Sequence, residues 1–99
     1  MRSRYAAYAM GLVDYVMDTT AAGSPHRVSD RAAWAADLLP FCEQTRFAGL
    51  SIVEAPAPQG DEAFVTFRAE LYAGGRDASF TERSRFVREG ERWMYDQGV

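Results

Sequence analysis

The chain has 99 residues, 47% hydrophobic and 25% charged, which gives enough apolar material for one core and not for two. A formal net charge of −3 argues against a nucleic-acid binder that works through phosphate contacts. The single cysteine, Cys42, leaves no internal disulfide and no multi-cysteine zinc site, as expected of a reducing, cytoplasmic setting.

All eleven basic residues are arginine, and both lysine and asparagine are absent, which composition bias explains more simply than selected bidentate contacts. Arg2 and Arg4 followed by an apolar run have a superficial likeness to a signal peptide. Tyr5, Tyr8, Asp14 and Tyr15 interrupt that run, so secretion is not expected. No apolar stretch approaches the ~20 residues that would span a bilayer.

From Ser3 to about Asp18, Tyr5, Tyr8, Ala9, Leu12, Val13 and Val16 recur at helical spacing, with Ala7, Gly11, Asp14 and Asp18 opposite. The spacing predicts one amphipathic helix with Ser3 as N-cap. Thr19 to Val28, with Gly23, Ser24 and Pro25, reads as a loop carrying the only histidine, His26. Ser29 or Asp30 then caps a second helix whose apolar side holds Trp34, Leu38 and either Phe41 or Cys42. Pro40 predicts a kink or restart near Leu39, because it lacks an amide donor and its ring collides with the preceding turn.

Beyond Phe47 the period becomes two. Leu50 and Ile52 begin a strand that stops at Pro56 to Pro58, and Ala63 to Tyr72, Ala78 to Arg88 and Glu91 to Asp96 follow as a meander. Gly74–Gly75 and Glu89–Gly90 suit two-residue hairpin turns. The first turn sets Leu71 opposite Ala78, Ala69 opposite Phe80, Phe67 opposite Glu82 and Val65 opposite Ser84; the second sets Phe86 opposite Trp93 and Ser84 opposite Tyr95. Both put one apolar face inward. Phe64, Thr66, Arg68, Glu70, Tyr72, Thr81, Arg83, Arg85, Arg92 and Asp96 take the solvated face.

The fold class is therefore α+β, one domain over residues 1–99, with two N-terminal helices packed on a curved four-stranded antiparallel sheet. In that register Glu82 enters an aromatic surface beside Ser84 and Tyr95, and a buried carboxylate needs a partner. The simpler reading is a structural ion pair with Arg4 that ties the first helix to the sheet. The functional reading is a mostly apolar pocket with Arg4, Tyr5, Tyr8, Trp34, Glu82, Ser84, Trp93 and Tyr95 in its wall, where Glu82 holds a ligand or acts as a general base. His26 without clustered ligands reads as a surface histidine, Cys42 as a small buried hydrophobe, and the pair Asp14 and Asp18 as a solvated helix face.

Helices first and a strongly curved sheet after them resemble the nuclear transport factor 2-like (cystatin-like) cone. Arg2-Ser3-Arg4-Tyr5 with Tyr8, Asp14-Tyr15, the run Glu82-Arg83-Ser84-Arg85-Phe86, and Gly90 with Trp93 and Tyr95 look like the YchJ-like family over nearly the whole chain. In that family the domain commonly sits between cysteine-rich, zinc-binding SEC-C segments, which this chain does not contain. Relatives tend to carry a His-Pro after the threonine where this chain has Thr19-Thr20-Ala21-Ala22, and His26 is the only histidine that could replace it. The resemblance implies the fold and assigns no reaction.

The leading expectation is a small-ligand-binding or protein-interaction module without catalysis, paired as a homodimer through the sheet, with no cofactor, metal, nucleic acid or membrane. The alternatives are a lyase, isomerase or hydrolase using Glu82 as general base, and a scaffold for zinc-binding segments.

Overall fold

The computed structural model describes all residues 1–99, and its three helices precede its five strands. The predicted first helix is two helices. α1 (Arg2–Met10) ends because Gly11 turns left-handed at φ 69°, and the amides of Gly11 and Leu12 bond back to the carbonyls of Tyr8 and Ala7 in a Schellman arrangement. α2 (Val13–Asp18) then starts on a new axis, burying Val16 and Met17 and leaving Leu12 48% exposed. The break also turns Ala7 inward and Ala9 outward, against the single-helix expectation. Ser3 caps nothing: α1 has no side-chain cap, and the Ser3 hydroxyl accepts a hydrogen bond from Tyr15 instead.

α3 (Arg31–Gln44) is capped by Asp30, whose carboxylate accepts the Ala33 amide at 3.1 Å. It continues through Pro40 without restarting. Trp34 and Cys42 are its buried residues, and Phe41, on the same face as Trp34, stays about half exposed.

β1 (Thr45–Glu54), β2 (Glu62–Ala73), β4 (Phe80–Glu89) and β5 (Arg92–Gly98) pair antiparallel in the order β1-β2-β4-β5. The fifth strand, β3 (Arg76–Asp77), is a two-residue piece that closes the Gly74–Gly75 hairpin against β2 before regular strand structure is interrupted at Ala78 and Ser79. Both glycines have positive φ, 60° and 76°, as this tight turn demands. The expected pairs Ala69 with Phe80, Phe67 with Glu82 and Val65 with Ser84 are all present.

The last hairpin differs. Its central residues are Gly90 and Glu91, so Phe86 faces Tyr95 and Arg88 faces Trp93, two residues away from the expected pairing. Gly90, at φ 64°, takes the first central position, which a two-residue II′ turn reserves for glycine. A shift of two preserves which face each side chain occupies, so Tyr95 still points inward. An irregularity between Arg85 and Phe86 leaves Asp96 as an extra residue and brings Gly98 opposite Ser84.

The helices lie over the face of Phe67, Ala69 and Leu71, with Tyr5, Phe47, Leu50 and Ile52 packed around those three. The outer edge of β5 is not left open, because Ala21 donates its amide to Tyr95 and Tyr95 donates to Thr19, forming a short parallel bridge. No helix is long and apolar enough to cross a membrane.

Candidate functional site

Between the helices and the inner face of the sheet lies a cavity of about 370 Å³, walled mostly by aromatic and aliphatic side chains. It contains Arg4, Tyr5, Tyr8, Trp34, Glu82 and Tyr95, six of the eight residues expected from sequence. The other two lie elsewhere. Ser84 is completely buried beneath Glu82, and Trp93 faces a second cleft of about 410 Å³ lined by Pro56, Pro58 and Phe86.

Glu82 is held from the sheet side. The hydroxyls of Ser84 and Tyr95 both donate to its Oε2, Tyr95 at 3.2 Å. Its Oε1 lies against Gly98, so close that a β-carbon there would sit 2.9 Å away. Only glycine gives the carboxylate this seat. Burial pushes the Tyr95 phenol well above its ordinary range, and the neighbouring Glu82 charge, which accepts the phenol's hydrogen bond, pushes it further.

The expected Glu82–Arg4 ion pair is absent. Arg4 is 5% exposed, and its Nη1 donates to the Val16 carbonyl at 3.0 Å, the Thr19 hydroxyl at 2.7 Å and the Thr20 hydroxyl at 3.4 Å. The break at Gly11 explains this, because it swings α2 and its carbonyl end across α1, where a single straight helix could not reach. The guanidinium carbon stands 4.6 Å from the Tyr95 ring centre and 6.0 Å from that of Tyr8. Burial holds the pKa of Arg4 below the usual arginine value. It also raises the Tyr8 phenol, against the opposing pull of the Arg4 charge.

Tyr5 gives its ring to the cavity and its hydroxyl to the frame. That hydroxyl accepts the Gly49 amide at 2.8 Å, a donor freed by the register shift after Phe47, and donates to the Glu70 carbonyl. His26 is exposed, as expected of a surface histidine, but its place at the cavity is what sequence reasoning missed. Its ring stacks on Tyr95 with centroids 6.0 Å apart and forms part of the cavity wall. Nothing local marks it, because the bridge between Thr20 and Tyr95 delivers its loop to the mouth. Phe41 and Phe80, both about half exposed, complete the rim. Asp14 and Asp18 lie outside the site and pair with Arg31 at 3.3 and 2.9 Å on the surface.

Residues 1–98 match the YchJ_M-like family, described as the YchJ, middle NTF2-like domain. The chain belongs to that family. A UPF0225 protein of Pectobacterium carotovorum is 38% identical over the whole chain, and the UPF0225 protein YchJ of Shigella dysenteriae is 35% identical. The chain spans 63% and 62% of those two relatives. Among solved structures, a SEC-C motif containing protein from Rhodopseudomonas palustris is 31% identical, with a TM-score of 0.81 over all of this chain and 73% of that one. A second SEC-C motif containing protein, from Psychrobacter arcticus, shares 23% identity with a TM-score of 0.73, over 98% of this chain and 56% of that one. The YchJ middle domain is thus an NTF2-like α+β fold, as the sequence resemblance implied.

Proposed function

We propose that this YchJ middle domain is a small-molecule-binding module whose ligand occupies the cavity between the helices and the sheet. One observation carries the reading: Arg4 and Glu82 both reach a largely apolar cavity of about 370 Å³ without pairing with each other. Such a volume is in the range of small-ligand sites, and a few convergent polar groups in an apolar wall are what such sites use to orient a guest. Charges needed only for folding satisfy one another, as Arg85 does with Glu62 and Asp96.

Binding is favoured over base catalysis by the seat of Glu82. Its Oε2 already accepts two hydroxyls and its Oε1 lies toward Gly98, so the carboxylate is engaged by the sheet rather than left free as a base. The test is a titration of the labelled protein with a panel of apolar small molecules, followed by amide NMR shifts. Shifts clustered at Ala69, Glu82 and Tyr95 are expected. Binding by no member of the panel, or shifts confined to Arg68, Thr81 and Arg83 on the outer face, would refute the reading.

A further inference from the structure

Arg4 is anchored by one nitrogen only. Every hydrogen bond it donates leaves from Nη1, and all three acceptors belong to the Val16 to Thr20 segment. No hydrogen bond of standard geometry leaves Nε or Nη2, the Tyr8 hydroxyl being the one further polar group that acts on the guanidinium, and no fully buried side-chain nitrogen or oxygen lacks a partner. Those two groups are therefore not completely sealed, and Arg4 lines both clefts. Thr19, the nearest Nη1 acceptor, lines the second cleft, whereas Tyr8 and Tyr95, whose rings flank the guanidinium, line the cavity under the helices.

The Nε–Nη2 edge is the side of a guanidinium that carries two parallel N–H donors, the fork that fits a carboxylate with two hydrogen bonds. No aspartate or glutamate of the chain occupies it. From this open edge we infer that the cavity selects a carboxylate-bearing apolar molecule, its acid group on Arg4 and its body among the aromatic rings. This deepens the binding reading above and rests on it.

The wall chemistry narrows the class. One guanidinium balances one negative charge, and Glu82 in the same cavity repels a second, so a phosphate dianion would leave charge uncompensated in an apolar enclosure. A monoanionic acid avoids that cost. A mostly apolar wall offers few partners for a sugar's hydroxyls, which favours an aryl or alkyl body.

The experiment uses matched pairs, 3-phenylpropionate against 3-phenylpropionamide and octanoate against octanamide, titrated by calorimetry into the native protein and into R4M. In the native protein each acid is expected to bind about 10- to 100-fold more tightly than its amide, the range a charge-assisted bidentate contact supplies. In R4M the affinity ratio between each acid and its amide is expected to fall to about 1. Acids and amides of equal affinity in the native protein would overturn the inference and leave the cavity reading standing. A preference that survives in R4M would also overturn it, and binding by none of the four compounds would overturn both.

Discussion

Arg4 and Asp96 are equally buried, each 5% exposed, yet the protein treats the two charges in opposite ways. Asp96 meets Arg85 at 2.9 Å, Arg85 also holds Glu62, and the Ser24 hydroxyl donates to the Asp96 carbonyl, so the corner where β5 bends is closed on itself. Arg4 has no carboxylate partner, only a carbonyl, two hydroxyls and two aromatic faces. An ion pair that locks structure and a charge held open toward a cavity are thus separated by the thickness of one sheet. The difference teaches that burial alone does not say what a charge is for; the state of its remaining donors does.

The largest effect should come from opening the closed corner. Asp96→Ala leaves Arg85 with Glu62 alone and removes the carboxylate that the bulge was built around, so a fall in Tm on the order of 10 °C is expected. Differential scanning calorimetry reads it. Binding at the cavity should be unaffected once the variant is measured below its transition. A variant as stable as the native protein would erase the distinction between the two charges.

Next is Gly98→Ala. Its new methyl would stand 2.9 Å from Oε1 of Glu82 and 3.0 Å from the carboxyl carbon, distances that real contacts do not tolerate. Either β5 shifts or Glu82 leaves its seat, at a cost of about 1–3 kcal/mol. Ultraviolet titration distinguishes the two. If Glu82 moves away, the Tyr95 phenol loses the charge and acceptor that help raise its pKa, and one tyrosine of the five should titrate closer to its ordinary range. An unchanged tyrosine profile together with unchanged stability would mean that Gly98 does not set the glutamate's position.

Most of the sheet is legible in the sequence up to β4, and less of it afterwards, for a physical reason. Gly74–Gly75 offers only one way to make a tight turn, and the whole β2–β4 register down to Phe67 and Glu82 follows from it. In Glu89-Gly90-Glu91 the glycine can be either central residue, and only the backbone decides that it is the first. The error moved partners by two and spared the facing of Tyr95, while Asp96 went from a solvated position to a buried one through a bulge that leaves no compositional mark. Gly11 was visible as a small residue in a helical pattern, but its left-handed turn, and with it the true partners of Arg4, depends on the packing of α2. Long-range contacts also decided His26, whose place at the cavity mouth no residue near it announces.

A smaller effect lies in alkali. The Tyr95 phenol has a folded pKa above its ordinary value of 10.0, so its contribution to stability is complete below pH 10 and is lost as pH rises beyond it. Between pH 9 and pH 11 the native protein should lose about 1 kcal/mol more than Tyr95→Phe, which has no phenol to ionise. Urea denaturation at the two pH values measures the difference. Equal losses would mean that Tyr95 titrates as freely as a surface tyrosine and that Glu82 is not held by it.

The smallest change is expected where the charge is most conspicuous. Arg4→Met removes a buried cation, and with it three hydrogen bonds, but the groups it leaves behind are not orphaned. The Thr19 hydroxyl still donates to the Tyr15 carbonyl at 2.7 Å, and the Thr20 hydroxyl to the Val16 carbonyl at 2.8 Å. Against the lost bonds stands relief from keeping a guanidinium out of water with no acid to balance it, and methionine supplies an unbranched apolar body of comparable reach. The two sides nearly cancel, so the unfolding free energy from urea titration should stay within about 1 kcal/mol of the native value in either direction. A loss above about 3 kcal/mol, the penalty for breaking a buried ion pair, would show Arg4 to be a strut like Asp96, and the open edge of its guanidinium would then be a by-product of holding α2 in place.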